Sequence, residues 1–208
     1  MIITYYNASF FKIVFGDTTL AINPIGEKSV FKSPKFGADI ALVSIHDDNF
    51  NGISRVSHGE KTPIVIDGPG EYEIRDIFIR GFMTDTLYGG KQKINTLYTI
   101  IIEGMRLCFL GALSSPDIST EIIEELGVID ICFIPTSLDT GIIGPKEAHR
   151  VGTILEPRII IPAHYTDKSL KSFLDEEGVS LSPVEKLVIK KKDLDEKGGD
   201  VIVLSPGI

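Results

Sequence analysis

The sequence predicts a single α/β domain. The first half is rich in short β-type runs, and after Leu110 apolar runs alternate with amphipathic helical stretches. No linker, low-complexity stretch or short-period repeat interrupts the 208 residues, a length suited to one core. Residues 1–208 therefore read as one domain.

In chain order, Met1–Tyr6, Phe10–Phe15 and Thr18–Asn23 read as strands, with Gly16-Asp17 making a tight hairpin between the last two. Ala38–Ser44 is almost continuously apolar, the pattern of a strand buried on both faces. Ile64–Ile66, Ile77–Phe82, Leu97–Glu103 and Arg106–Leu110 follow as strands, the last two joined at Gly104. Ile66–Ile74, with Gly68-Pro69-Gly70 inside it, reads as a turn between strands, and Thr84–Lys93, with Gly89-Gly90, as a mobile loop. A helix is expected from the Ser115-Pro116 cap to Gly127, with Ile118, Ile122, Ile123 and Leu126 on one face. Ile129–Ile134 and Arg158–Pro162 are buried strands, and Pro145–Leu155 and Asp167–Glu177 are helices. Leu187–Lys190 and Val201–Leu204 close the chain as strands.

Composition excludes several classes. Apolar residues make up 43% and charged residues 24%, an ordinary globular balance. No window approaches the ~18 apolar residues of a membrane span, so no membrane partner is expected. The N-terminal segment reads as a strand and not as a signal peptide. Net charge is −8, and the one basic run, Lys190-Lys191-Lys192, is followed at once by Asp193, Asp195 and Glu196, which argues against nucleic acid. Cys108 and Cys132 each lie inside an apolar run and read as buried, reduced thiols in a cytoplasmic protein.

Chemistry is sought where buried strands end in polar clusters. Ser44-Ile45-His46-Asp47-Asp48-Asn49 could hold a divalent ion, although a plain polar turn explains the same letters. His164, directly after Ile159-Ile160-Ile161-Pro162-Ala163, is placed to face a site at the sheet edge. Gly111-Ala112 follows a third strand with no ligand. His58 reads as a solvated loop residue and His149 as a helix-surface residue. No phosphate loop, dinucleotide fingerprint or nucleophile elbow is present.

An ordered set of segments adds to this. Ala21-Ile22-Asn23-Pro24, Ala38–Ser44, Val65–Ile74, Arg106–Gly111, Val128–Ile131, Ile134-Pro135 and Glu156–Tyr165 together resemble the metallo-β-lactamase superfamily. Within it they resemble the branch of small predicted metal-dependent hydrolases similar to L-ascorbate-6-phosphate lactonase. The resemblance implies a four-layer αββα sandwich with a site at the sheet edges. It also implies one or two Zn or Mn ions that generate a hydroxide for hydrolysis of an ester, lactone, amide or phosphodiester.

The implied metal set is largely missing. The family's final histidine corresponds to His164, its aspartate after glycine to Ala112, and its early aspartate before proline to Asn23. The middle histidine would fall near Met83–Leu87, where only Asp85 could bind metal. In one register of the HxHxDH loop, His46 and Asp48 are kept while Ser44 and Asn49 stand at the other two positions. In the ungapped register Ile45, Asp47, Asn49 and Phe50 fall on the motif and no histidine is kept. The candidate metal residues are thus His46, Asp48 and His164, with Asp48 also the candidate catalytic base.

The expectation is a family member without the binuclear site and without hydrolase activity, retained for binding or assembly. Its expected cofactor content is none, or at most a single Zn or Mn ion. A small-molecule ligand at the vestigial site and self-association into a homo-oligomer are the partners this reading allows. The competing expectation is a mononuclear or atypical metal-dependent hydrolase of a small ester, lactone or phosphodiester. A metal-free acid–base pair of His46 with Asp47 or Asp48 is the third.

Overall fold

A computed structural model describes residues 1–138 and 141–207. Two sheets face each other. The first has the order β12-β1-β2-β3-β4-β5, built from Leu187–Val188, Ile2–Tyr5, Phe11–Phe15, Thr18–Ile22, Ile40–Leu42 and Ile64–Ile66. The second has the order β13-β11-β10-β9-β8-β7-β6, from Asp200–Val201, Ile159–Ala163, Ile131–Pro135, Met105–Phe109, Lys93–Ile102, Ile77–Thr86 and Gly70–Ile74. In each sheet a parallel group adjoins an antiparallel one, and β9, β10 and β11 run parallel.

Alternation along the strands explains the layering. Ile3, Tyr5, Phe11, Ile13, Leu20 and Ile22 meet Ile100, Leu107, Phe109, Ile131, Phe133 and Ile161 in the core between the sheets. Phe109 and Phe133 stack with ring centroids 4.0 Å apart, and Phe11 meets Phe133 edge-on at 4.7 Å. Each such side chain contributes about 1.5–3 kcal/mol by leaving water. On the outer face of the second sheet, Leu97, Cys108, Cys132, Ile134 and Ile160 pack under three helices. These are α1 (Thr120–Leu126), α2 (Pro145–Leu155) and α3 (Asp167–Glu176), which contribute Leu126, Ala148, Val151, Leu155 and Phe173. The outer face of the first sheet is covered by Ile25, Phe31, Phe36 and Val56 from connecting segments and by the 3-10 turn Ile53–Arg55. The result is the sandwich expected for the fold, and no helix among the described residues is long and apolar enough to cross a membrane.

Four local expectations are corrected. Thr84–Lys93 is no open loop: β7 runs to Thr86, β8 starts at Lys93, and a 3-10 turn at Tyr88–Gly90 joins them. The pairs Thr84↔Asn95 and Asp85↔Ile94 extend the hairpin although Asp85 and Asn95 are poor strand formers. The Gly-Pro-Gly segment leads into an edge strand, β6, paired with β7. Helix α1 starts at Thr120, because Ser119 caps it by accepting the Ile122 N–H while Ser115 closes a separate turn with the Asp117 N–H. The closing strands shrink to Leu187–Val188 and Asp200–Val201, and Leu204 joins Val184 in an isolated bridge.

Candidate functional site

The C-terminal ends of β4, β9, β10 and β11 meet at one edge of the sandwich, where ligands of α/β sheets are usually held. His164 lies there, directly after β11, in the left-handed region at φ 50° with its N–H donated to the Ala8 carbonyl. Its imidazole is only 6% exposed. The ring lies parallel to Phe50 at 5.7 Å and meets Tyr88 and Phe31 edge-on at 5.6 and 6.2 Å. Its Nδ1 is 3.4 Å from the Ser9 hydroxyl.

The three rings reach His164 from three different loops, and hydrogen bonds tie those loops together. The Ser29 hydroxyl donates to Asn49 Oδ1, and Asn49 Nδ2 donates to the Tyr88 hydroxyl, each at 2.5 Å. Lys93 Nζ pairs with Asp47 Oδ2 at 2.8 Å, so the Asp47 charge is already met by a cation of β8. Below the rings the backbone is closely fitted. The N–H of Gly26 donates to the Asp48 carbonyl and that of Gly52 to the Pro24 carbonyl, both at 2.6 Å. A Cβ on Gly52 would lie 2.2 Å from the Ile25 carbonyl oxygen, and one on Gly26 would lie 2.9 Å from that of Asp48.

Under His164 the strand ends carry amides, hydroxyls and a methyl group. Asn23 sits at φ 53°, a conformation asparagine tolerates, and its Oδ1 accepts the Ser44 N–H at 2.7 Å. Gly111 is at φ 62°, and a Cβ there would come within 2.4 Å of Asn95 Oδ1 and 2.6 Å of the Ser44 hydroxyl. Ala112 is fully buried: its N–H donates to Asn95 Oδ1 and its carbonyl accepts from the Thr86 hydroxyl. Asn95 Nδ2 donates in turn to the Leu110 carbonyl and the Thr84 hydroxyl, which completes the amide's bonding.

His46 and Asp48 have other surroundings. The His46 side chain is exposed, with Nδ1 3.3 Å from Asn51 Nδ2 and Nε2 3.7 Å from Asp67 Oδ2. His46, Asp47, Asp48 and Asn51 line an open cleft of about 420 Å³. Asp48 is exposed in that cleft, and Asp85 is exposed on the β7–β8 hairpin. Among the described residues no three His, Cys, Asp or Glu side chains are grouped as metal ligands. The donors gathered under His164 lack the carboxylate and imidazole set that a pair of divalent cations requires, so they do not fit the binuclear group the resemblance implies. His58 is exposed, bridging in backbone to Lys61, and His149 pairs from α2 with Glu177 beyond α3 at 3.0 Å.

Sequence reasoning did not find Ser9, Phe31, Phe50, Tyr88 or Asn95. The adjacent polar residues Asn95-Thr96 inside an otherwise apolar strand were the one signal present.

Fold and strand-end geometry define a metallo-β-lactamase-type sandwich. Residues 2–164 match the family profile of the β-lactamase superfamily domain, and the chain belongs to that superfamily. A UPF0173 metal-dependent hydrolase of Listeria innocua is 24% identical over 196 residues, covering 79% of this chain and 85% of the relative. A metallo-β-lactamase superfamily protein of Thermotoga maritima superposes with a TM-score of 0.76 at 27% identity, covering 98% of this chain and 97% of the other. The metallo hydrolase Igni18 of Ignicoccus hospitalis superposes with a TM-score of 0.63 at 15% identity, over 100% and 96% of the two chains, and shares the fold.

Proposed function

We propose that this member of the metal-dependent hydrolase family has given up the binuclear metal site and hydrolase activity and serves in binding or assembly. One observation carries the reading: the strand ends around His164 present Asn23, Ser44 and Ala112, bonded among backbone groups and Asn95, beneath a cover of Phe31, Phe50 and Tyr88. A hydroxide-generating metal needs several anionic or imidazole ligands and an open coordination position. The fold itself is compatible with either role. A cytoplasmic setting accords with two buried free thiols.

The second reading, a single Zn or Mn ion serving a hydrolase, has the exposed His46 cleft in its favour. There His46 Nε2 lies 3.7 Å from Asp67, and Asp47 and Asp48 share the cleft. In this reading Asp48 is a ligand or the general base.

Metal analysis of protein purified without a histidine tag, with melting curves in Zn²⁺, Mn²⁺ and chelator, tests both. Substoichiometric metal and superimposable melts are expected. A metal at a hundredfold excess over its Kd would stabilise by about 2.7 kcal/mol. Near-stoichiometric metal with a chelator-sensitive melt would overturn the loss of the metal site and direct attention to lactone and phosphodiester substrates.

A further inference from the structure

Two of the loops that close over His164 carry a charge opposite to that of the chain. The chain holds 29 Asp and Glu against 21 Lys and Arg, for a net charge of −8. Segments 27–35 and 87–93 deliver Phe31 and Tyr88 to the His164 ring. They hold Lys28, Lys32, Lys35, Lys91 and Lys93 against the single carboxylate of Glu27. Lys35 is met by Glu27 and Lys93 by Asp47. Lys28, Lys32 and Lys91 are exposed and form no ion pair among the described residues. The exposed Asp48 opens instead on the His46 cleft.

Aliphatic side chains stand among these lysines. Val30 is 90% exposed and Leu87 is 56% exposed, and each directly precedes one of the rings against His164. Hydrogen bonds hold them out and set the two segments side by side. The Phe31 N–H donates to the Ser29 hydroxyl, Ser29 donates to Asn49, and Asn49 donates to the Tyr88 hydroxyl. Apolar groups fixed in water gain free energy on being covered, and the lysines around them select an anionic cover. A lipid surface matches less well. A short segment feels mainly the charges within a Debye length of about 8 Å, whereas a membrane plane faces the whole acidic domain.

We infer that this face docks an acidic segment of a partner protein. Its carboxylates meet Lys28, Lys32 and Lys91, and its aliphatic side chains cover Val30 and Leu87. The inference deepens the binding-or-assembly reading and rests on it, because a segment docked here lies across the loops that a substrate of a metal hydrolase would have to pass.

The full chain, with its metal content measured first, is titrated into a fluorescein-labelled peptide that sets leucines among glutamates, and anisotropy is followed. Binding is expected, and it should weaken as salt is raised. Peptides with serine for leucine, or lysine for glutamate, should bind roughly tenfold or more weakly. The triple variant Lys28→Glu, Lys32→Glu, Lys91→Glu and the single variant Val30→Ser should each lose affinity by roughly tenfold. Their melting points should match wild type, since these side chains are exposed. Absence of binding, or equal binding by both variants, overturns the inference. Tighter binding to phosphatidylserine vesicles than to the peptide also overturns it and assigns the face to a membrane. Self-association in sedimentation that the triple variant abolishes overturns it too, the occupant then being a second copy. In all these outcomes metal-free protein leaves the loss of the metal site standing, whereas near-stoichiometric metal overturns that reading and the inference with it.

Discussion

His164 and Phe50 lie face to face, their ring planes 12° apart and their centroids separated by 5.7 Å. A histidine at the end of a buried strand is placed to serve a site, yet here a loop phenylalanine lies parallel against its ring. The loop is secured at the neighbouring residue, where Asn49 links Ser29 to Tyr88.

Phe50→Ala is therefore expected to lower stability by about 3–5 kcal/mol and to expose the imidazole. Denaturant unfolding reads the first effect, and the rate of His164 modification by diethylpyrocarbonate reads the second. Tyr88→Phe keeps the ring and removes the hydroxyl that accepts from Asn49. It should cost only about 1 kcal/mol and leave His164 nearly as protected. Equal reactivity in Phe50→Ala and wild type would show that the ring cover does not control access.

Acid should weaken the first sheet through Asp39. Burial alone would raise its carboxyl, but the Thr19 N–H, the Lys61 ammonium and the Arg75 guanidinium together hold it below the usual carboxylate range. Because the folded value is depressed, the stabilisation is present above the unfolded value of about 3.9 and is lost as pH falls through the folded one. Asp39→Asn should be less stable at neutral pH by about 1–2 kcal/mol, discounted because both cations stay largely solvated. Its stability should also change less than that of the wild type as pH falls below about 4. Parallel unfolding curves for the two proteins across that acid range would contradict the assignment.

Restoring a carboxylate after Gly111 should not rebuild a metal centre. Ala112 is fully buried, with its backbone already bonded to Asn95 and Thr86. The Asn95 amide and the Thr86 hydroxyl beside it are committed to its own backbone and no cation among the described residues lines the position, so an aspartate would enter as a buried charge without a counter-charge. Ala112→Asp is expected to lose about 3 kcal/mol or more and to bind no more zinc than wild type by elemental analysis. Stoichiometric zinc in this single variant would mean that the remaining groups are a latent ligand set.

The layers of the fold were legible because continuous apolar runs such as Ala38–Ser44 and Ile159–Ala163 have few places to go except a sheet covered on both faces. The outer half of the β7–β8 hairpin was not, since Asp85 and Asn95 are strand residues only by virtue of their partners. His164 could be placed from the run that precedes it. Phe31, Phe50 and Tyr88 could not, because each arrives from a separate loop whose path is set by tertiary hydrogen bonds. The surroundings of His46 were equally hidden: its approach to Asp67 joins two loops that local pattern leaves unrelated.

Gly26 and Gly52 have a consequence for inheritance. The segment from Ser44 to Gly52 is stitched to the chain around Pro24 by two backbone bonds and by the Asn23 side chain, through a seam too narrow for any side chain on Gly52. Its length is thereby locked, as an inserted or deleted residue would shift Asp48 away from Gly26 and force a side chain into the seam. A lineage that carries this seam can trade letters in the loop one at a time, but adding or removing a residue must first undo the stitching.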